Sequence, residues 1–259
     1  MLGFRGWAWQ FQFALDRWSA GFAARRCRHG YCTMSTIPCQ VSSGTFGCEI
    51  QLPADLIYRL AIEQWVRRRG DEALLLTHDL GPSSTVIEVG GFVGIWSGAL
   101  YERYAPTMHI LEPASEFFAH LATRFAGELR VHLHPIGLGH PGTAQLMLDG
   151  VASSLVRRSS TPSEQILLKS FDDFIEENAI GTVDLLQINI EGGEYELLDQ
   201  ILASRFLRNI RKLQVQFHLN RADATTRREQ LRRELRRTHD EVFSYPFVWE
   251  SWALRADPP

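Results

Sequence analysis

Thr85-Val-Ile-Glu-Val-Gly-Gly-Phe-Val-Gly-Ile-Trp-Ser97 decides how the rest of the chain is read. A β-branched run, Val86 to Val89, enters a turn that holds Gly90, Gly91 and Gly94. An apolar, helix-like run follows from Ile95 to Tyr104. Strand, tight turn and helix in that order mark the place where α/β proteins hold a nucleotide-like ligand. Gly90 opens backbone conformations closed to other residues. Gly94 is expected to let the helix start lie close to both strand and ligand. Glu88 places a carboxylate at the strand end, aimed at the same spot. The plain alternative is a strand-helix connection that binds nothing.

The next segments favour the ligand. Met108 to Leu111 is a second short strand, and it ends in Glu112-Pro113. Glu112 stands at the distance past Gly94 where a βαβ nucleotide unit keeps the carboxylate for ribose hydroxyls. A carboxylate accepts from two vicinal hydroxyls, which a neutral side chain does poorly. Val183 to Ile190 is a near-continuous apolar run, as in the middle of a parallel sheet covered on both faces. It leads into Glu191-Gly192-Gly193-Glu194 and a helix-like segment from Tyr195 to Leu202. Leu213 to Phe217 is a further strand, and it stops at His218. Polar groups thus collect at the carboxyl ends of several strands, where open α/β sheets bind ligands.

These four blocks together resemble the FkbM-type S-adenosylmethionine-dependent methyltransferases. The matching residues are Glu88, Gly90 and Gly94, the Glu112-Pro113 pair, and Gln187-Ile188-Asn189-Ile190-Glu191-Gly192-Gly193-Glu194. The late block is the most specific part, and the resemblance runs from roughly Ser84 to His218. Gln187 and Asn189 depart from it, standing where Lys and Asp are usual. That puts metal binding or carboxylate chemistry at position 189 in doubt and leaves the fold untouched. The resemblance implies S-adenosylmethionine as cofactor, held by Glu88, Gly90, Gly91, Gly94, Glu112 and Pro113. It also implies O-methylation of a small-molecule or sugar hydroxyl.

Removing the acceptor proton falls to three candidates, Glu191, Asn189 and His218. An amide cannot be a base, so Asn189 would orient donor or acceptor. His218 has a suitable intrinsic pKa and is the expected base, with capping of a strand end as the alternative. Glu191 could equally be tied to backbone N–H groups of the next helix. Two other function classes remain open. A nicotinamide-dependent oxidoreductase fits Gly and Glu at these places, although Gly-x-x-x-Gly leaves its pyrophosphate cradle incomplete. Gln187 and Asn189 also fit a non-catalytic donor-binding protein on a decayed methyltransferase frame.

Size and composition suit one soluble domain: 259 residues, 45% hydrophobic and 22% charged. A net charge of −3 gives no footprint for bulk nucleic-acid binding. No apolar run is long enough for a membrane span, and the expected location is cytoplasmic. The alternation of short apolar runs with helix-length segments predicts a seven-stranded, mostly parallel, Rossmann-like sheet with helices on both faces. Its strands should include 85–89, 108–112, 130–135, 183–189 and 212–217. That domain is expected over 51–259, behind an extension at 1–50. In the extension Phe4, Trp7, Phe11, Leu15, Trp18 and Phe22 recur at helical spacing. A packing or dimer helix, a transit-like segment or peripheral membrane contact through residues 1–26, and an overlong start at which Met34 opens a more ordinary beginning all fit. Cys27, Cys32, Cys39 and Cys48 are irregularly spaced without a Cys-x-x-Cys pair, so reduced thiols are expected and no metal.

Further along, Asp55 to Arg69 and Phe117 to Phe125 are expected as helices, and Val151 to Pro162 as a mobile loop. Arg221 to Arg237 reads as a solvated, arginine-rich helix, with binding of a phosphorylated substrate as the alternative. Tyr245 to Trp252 alternates large aromatics, as a last strand or as a pocket wall.

Overall fold

The computed structural model describes residues 53–147 and 163–256. The readings of residues 1–50, including the four cysteines, and of the loop 151–162 lie outside the described residues. A unit boundary falls after Ile57, inside the first described helix, so the architecture below is that of Tyr58 onward.

Helix α1 is Ala54–Arg67 and the short α2 is Gly70–Ala73. Then β1 (Thr85–Val89), α3 (Ile95–Tyr104), β2 (Thr107–Leu111), α4 (Ser115–Arg124) and β3 (Val131–His134) alternate. Three strands follow, β4 (Gly137–Leu138), β5 (Gly142–Met147) and β6 (Ser163–Lys169). The alternation resumes with α5 (Phe171–Glu177), β7 (Leu185–Ile188), α6 (Glu194–Ala203), β8 (Lys212–Val215) and α7 (Ala224–Leu235). Strands β9 (His239–Tyr245) and β10 (Trp249–Leu254) end the described chain.

Seven strands make one sheet in the order β3-β2-β1-β7-β8-β10-β9. The pairings from β3 through β8 are parallel, and β10 runs against both β8 and β9. β7 is the middle strand of the seven, and β1, third from the β3 edge, lies beside it. The chain builds outward from β1 to β2 and β3, then returns to lay β7 on its other edge. That reversal opens a crevice at the carboxyl ends of β1 and β7.

Alternation along each strand sorts side chains to the two faces. Ile87, Val89, Leu186, Ile188, Leu213 and Val215 join one buried cluster with Phe171 and Phe174 of α5, Leu197 and Leu198 of α6, and Leu231 and Leu235 of α7. Glu88 points to the opposite face, toward Ser97 of α3. On that face the Gln214 amide donates to the Leu74 carbonyl, and Leu121 of α4 lies against the glycine turn.

Several expectations change. β7 ends at Ile188, so Asn189 and Ile190 belong to the turn rather than the strand. β4, β6 and β5 form a separate three-stranded sheet. The aromatic tail is a hairpin: β9 ends at Tyr245, the chain turns through Phe247 at φ 62°, and β10 starts at Trp249. Helix α7 is not fully solvated. Arg228 and Arg232 are buried and both ion-pair with the buried Glu250 of β10. Both also donate to the Ser244 hydroxyl, at 2.9 and 2.7 Å. These arginines fasten α7 to the sheet, which removes them as ligands for a phosphorylated substrate.

Candidate functional site

Two turns meet at the crevice, one after β1 and one after β7. In the first, Gly90 (φ 94°), Phe92 (φ 48°) and Gly94 (φ 74°) all take left-handed backbone. For Phe92 that conformation is strained, and such strain gathers at functional sites. Its ring packs edge-on against Phe117 of α4, with centroids 4.4 Å apart. Glu112, just past β2, braces the turn from below. It accepts from Phe92 N at 2.8 Å and, reaching over Pro113, from Ala114 N at 2.9 Å. Burial raises the Glu112 carboxyl above its ordinary value, although those two bonds work against the rise. Glu88 is 3% exposed, and its Oε2 has no hydrogen-bond partner among the described residues. Burial pushes its carboxyl up to about 8, against the pull of Ser97 and Arg124 and with a further push from Glu112.

The glycines divide by what they make room for. A Cβ on Gly90 would stand 2.1 Å from the Asn189 carbonyl oxygen, so this glycine lets the two turns touch. Asn189 N in turn donates to the Val89 carbonyl at 3.0 Å. A Cβ on Gly94 would meet Leu121, Arg124 and Phe125 instead. The room that Gly94 leaves is therefore filled by α4 and its end, not by a ligand. Gly91 likewise makes room for Ile110 and Leu121.

The second turn repeats the device. Glu191 (φ 50°) and Gly192 (φ 112°) take left-handed backbone. Glu194, the first residue of α6 and 0% exposed, accepts from Gly192 N at 2.7 Å and from His218 N at 2.8 Å. It thereby ties the end of β7 to the chain leaving β8. The His218 ring lies between two carboxylates: Nδ1 is 3.2 Å from Glu194 Oε1 and Nε2 is 3.4 Å from Glu191 Oε1. Burial alone would lower the imidazole, but Glu194 and Glu191 outweigh it and raise its pKa to about 10. An imidazolium has no lone pair with which to accept a proton. The Glu191 side chain is 32% exposed against 13% for His218, so Glu191 presents the more open face of the cluster.

The structure thus gathers Gly90, Asn189, Glu191 and His218 around one crevice, with Glu112 braced under the neighbouring turn. Glu194, the last residue of the late sequence block, joins this cluster, and two further residues beside it carried no sequence signal of their own. Tyr58 of α1 lies near Glu191, whose charge adds to the burial that raises the phenol. Asn220 donates from Nδ2 to the Glu191 carbonyl at 2.5 Å.

A family model described as the methyltransferase FkbM domain matches residues 88–245. No curated protein matches the chain significantly. Among solved structures, the chain is similar to the Methanococcus jannaschii fibrillarin pre-rRNA processing protein. That match has 8% identity and a TM-score of 0.44, over 70% of each chain. It is also similar to Aeropyrum pernix fibrillarin with natively bound S-adenosyl-L-methionine, at 10% identity and 0.42 over 76% of each chain. The 23S rRNA methyltransferase ErmE matches at 12% and 0.39, over 80% of this chain and 70% of that one. Likeness at these levels says nothing about what this chain methylates or binds.

Proposed function

The chain belongs to the FkbM methyltransferase family, and from that premise we propose that it methylates a hydroxyl oxygen of a small molecule or sugar. The observation that carries the reading is the Glu191–His218–Glu194 cluster, set beside the strained glycine turn at the point where the strand order reverses. S-adenosylmethionine supplies, when bound, a methyl group on a positively charged sulfur. The residues present fit such a donor: Glu88 keeps an unpartnered carboxyl oxygen, and Glu112 is fixed for ribose hydroxyls by its bonds to Phe92 and Ala114. Pro113 stiffens the short arc between Glu112 and Ala114, and Gly90, Gly91 and Gly94 shape the turn beneath the donor.

On the acceptor side Glu191 would take the hydroxyl proton while the new oxygen–methyl bond replaces the donor's sulfur–methyl bond, whose electron pair stays on sulfur. His218, already charged, holds that carboxylate, and Asn189 orients the reacting groups. Residues 51–259 form the catalytic domain in this reading, preceded by the extension 1–50, in a cytoplasmic protein. No helix among the described residues is long and apolar enough to cross a membrane.

Titration with S-adenosylhomocysteine should raise the melting temperature, while NAD should leave it unchanged. A ligand at 100 times its Kd stabilises by about 2.7 kcal/mol. A shift with NAD instead would overturn the donor. Tritiated methyl transfer to a panel of hydroxylated small molecules and sugars then tests the acceptor class, and Glu191→Gln should lower kcat by about 10²–10⁴-fold. Undiminished turnover in that variant removes Glu191 as the base.

A further inference from the structure

Glu194 is wholly buried, and an ionised carboxylate so placed demands a cation and donors. It finds two backbone N–H groups and the Nδ1 edge of His218. The opposite edge of the same ring meets Glu191. A neutral imidazole has one N–H and one lone pair. Either tautomer would turn that lone pair toward a carboxylate, and only the doubly protonated ring satisfies both neighbours. We propose that Glu194 is a positioning residue that acts through His218. It keeps that ring a permanent cation, whose Nε2–H holds the Glu191 carboxylate charged and in place for the acceptor proton.

The groups around the ring agree with this. From α6 come Glu194 and Tyr195, whose hydroxyl donates to the His218 carbonyl at 2.8 Å. From the turn after β7 comes Glu191, and near it from α1 comes the neutral phenol of Tyr58. Arg221, three residues on, is engaged by Asp223 and Glu196 and offers the cluster no competing cation. Burial works against charge on the ring, and the two carboxylates overcome it, with a pKa of about 10. The hydroxyl proton therefore goes to Glu191, and His218 keeps its own two protons throughout.

The inference rests on the methyltransferase reading for its consequence, but its first test needs no ligand. In full-length protein labelled with ¹⁵N-histidine, the His218 ring should stay doubly protonated to about pH 9, as its raised pKa requires. Glu194→Gln has no charge and, with one amide oxygen in place of two carboxylate oxygens, still accepts one of the two backbone N–H bonds; it should lower the midpoint of the ring by at least about two pH units, given the size of the shift those carboxylates cause. The alkaline limb of kcat, measured with the acceptor found in the panel, should move acidward by the same amount, with affinity for S-adenosylhomocysteine unchanged within a few-fold. A wild-type ring that titrates near its ordinary 6.5 overturns the proposal, and so does an alkaline limb that stays put in Glu194→Gln. If Glu194→Gln does not fold, the wild-type titration still decides the charge of the ring. Failure of S-adenosylhomocysteine to bind counts against the methyltransferase reading alone.

Discussion

The turn after β1 and the turn after β7 are built alike and finished differently. Each carries a non-glycine residue in left-handed backbone, Phe92 in one and Glu191 in the other. Each is braced by a buried glutamate that accepts two backbone N–H groups, Glu112 or Glu194. Only the second glutamate also meets a cation. Among the described residues Glu112 and Glu88 have no ion pair, whereas Glu194 and Glu191 share His218. The first turn leaves its carboxyls without an ion-pair partner among the described residues, and the second sets two carboxylates on one imidazole. One backbone device thus occurs in two electrostatic settings, and the side chain opposite the glutamate makes the difference.

The comparison breaks hardest at the glycines. Gly90→Ala drives a Cβ into the Asn189 carbonyl at a positive φ, a backbone collision that cannot relax. Strain and overpacking together should cost on the order of 3 kcal/mol or more. Gly192→Ala collides only with the Asn220 side chain, which can move, and should cost about 1–3 kcal/mol. Equal urea midpoints for the two variants would deny the difference.

The glutamates come next. Glu194→Leu strands two N–H groups and an imidazolium, a loss of about 3–5 kcal/mol in folding stability. Glu112→Leu strands two N–H groups alone, and should cost about 1–3 kcal/mol. It should also weaken S-adenosylhomocysteine binding by about 1.5–3 kcal/mol, which calorimetry reads directly.

Smaller and more diagnostic is the pH dependence. Both Glu88 and His218 are raised in the folded state, so the native protein binds the extra proton and stability falls as pH rises. For Glu88 the favourable contribution is complete below about 4.5 and lost by about 8. For His218 it is complete below 6.5 and lost as pH passes about 10. Glu88→Gln should flatten the first window and His218→Gln the second, in denaturation curves taken across pH 5–10. A profile in which either variant removes both slopes would mean that the turns titrate as one unit. His109 and His134 shift the other way, lowered to about 4 by burial and by neighbouring charges. Their contribution is lost below pH 6.5, outside either turn. Smallest of all, Leu129→Gln at a fully exposed position should change stability by less than about 0.5 kcal/mol.

The strands around the crevice were legible because a central parallel strand writes its burial as a continuous apolar run. Val86 to Val89 and Leu185 to Ile188 are buried throughout. Edge strand β9 was not legible: Asp240, Glu241 and Val242 are exposed, and only pairing with β10 makes that segment a strand. Arginine content made α7 look solvated, because the partner that buries Arg228 and Arg232 is Glu250, far along the chain. Glu88, Glu112, Glu191 and His218 could be picked out because strand ends predict polar groups. The pairing of His218 with Glu194 could not, since a helix-start glutamate looks the same whether it faces water or an imidazole. Nor could the nearness of Tyr58 to Glu191, which local patterning does not carry.

The place of β1 between β2 and β7 has a consequence for how the protein is made. β2 follows within a few tens of residues, but the other edge of β1 waits for β7. The bond from Thr85 N to the Asp184 carboxylate spans 99 positions of sequence. At a synthesis rate of about 5–20 residues per second, that edge stays open for roughly 5–20 s on the ribosome. During that time the nascent chain presents an apolar strand with free backbone groups, the surface on which chains join edge to edge. Chains stalled before residue 183 should therefore need a holding chaperone to stay soluble, and chains stalled after β8 has emerged should not.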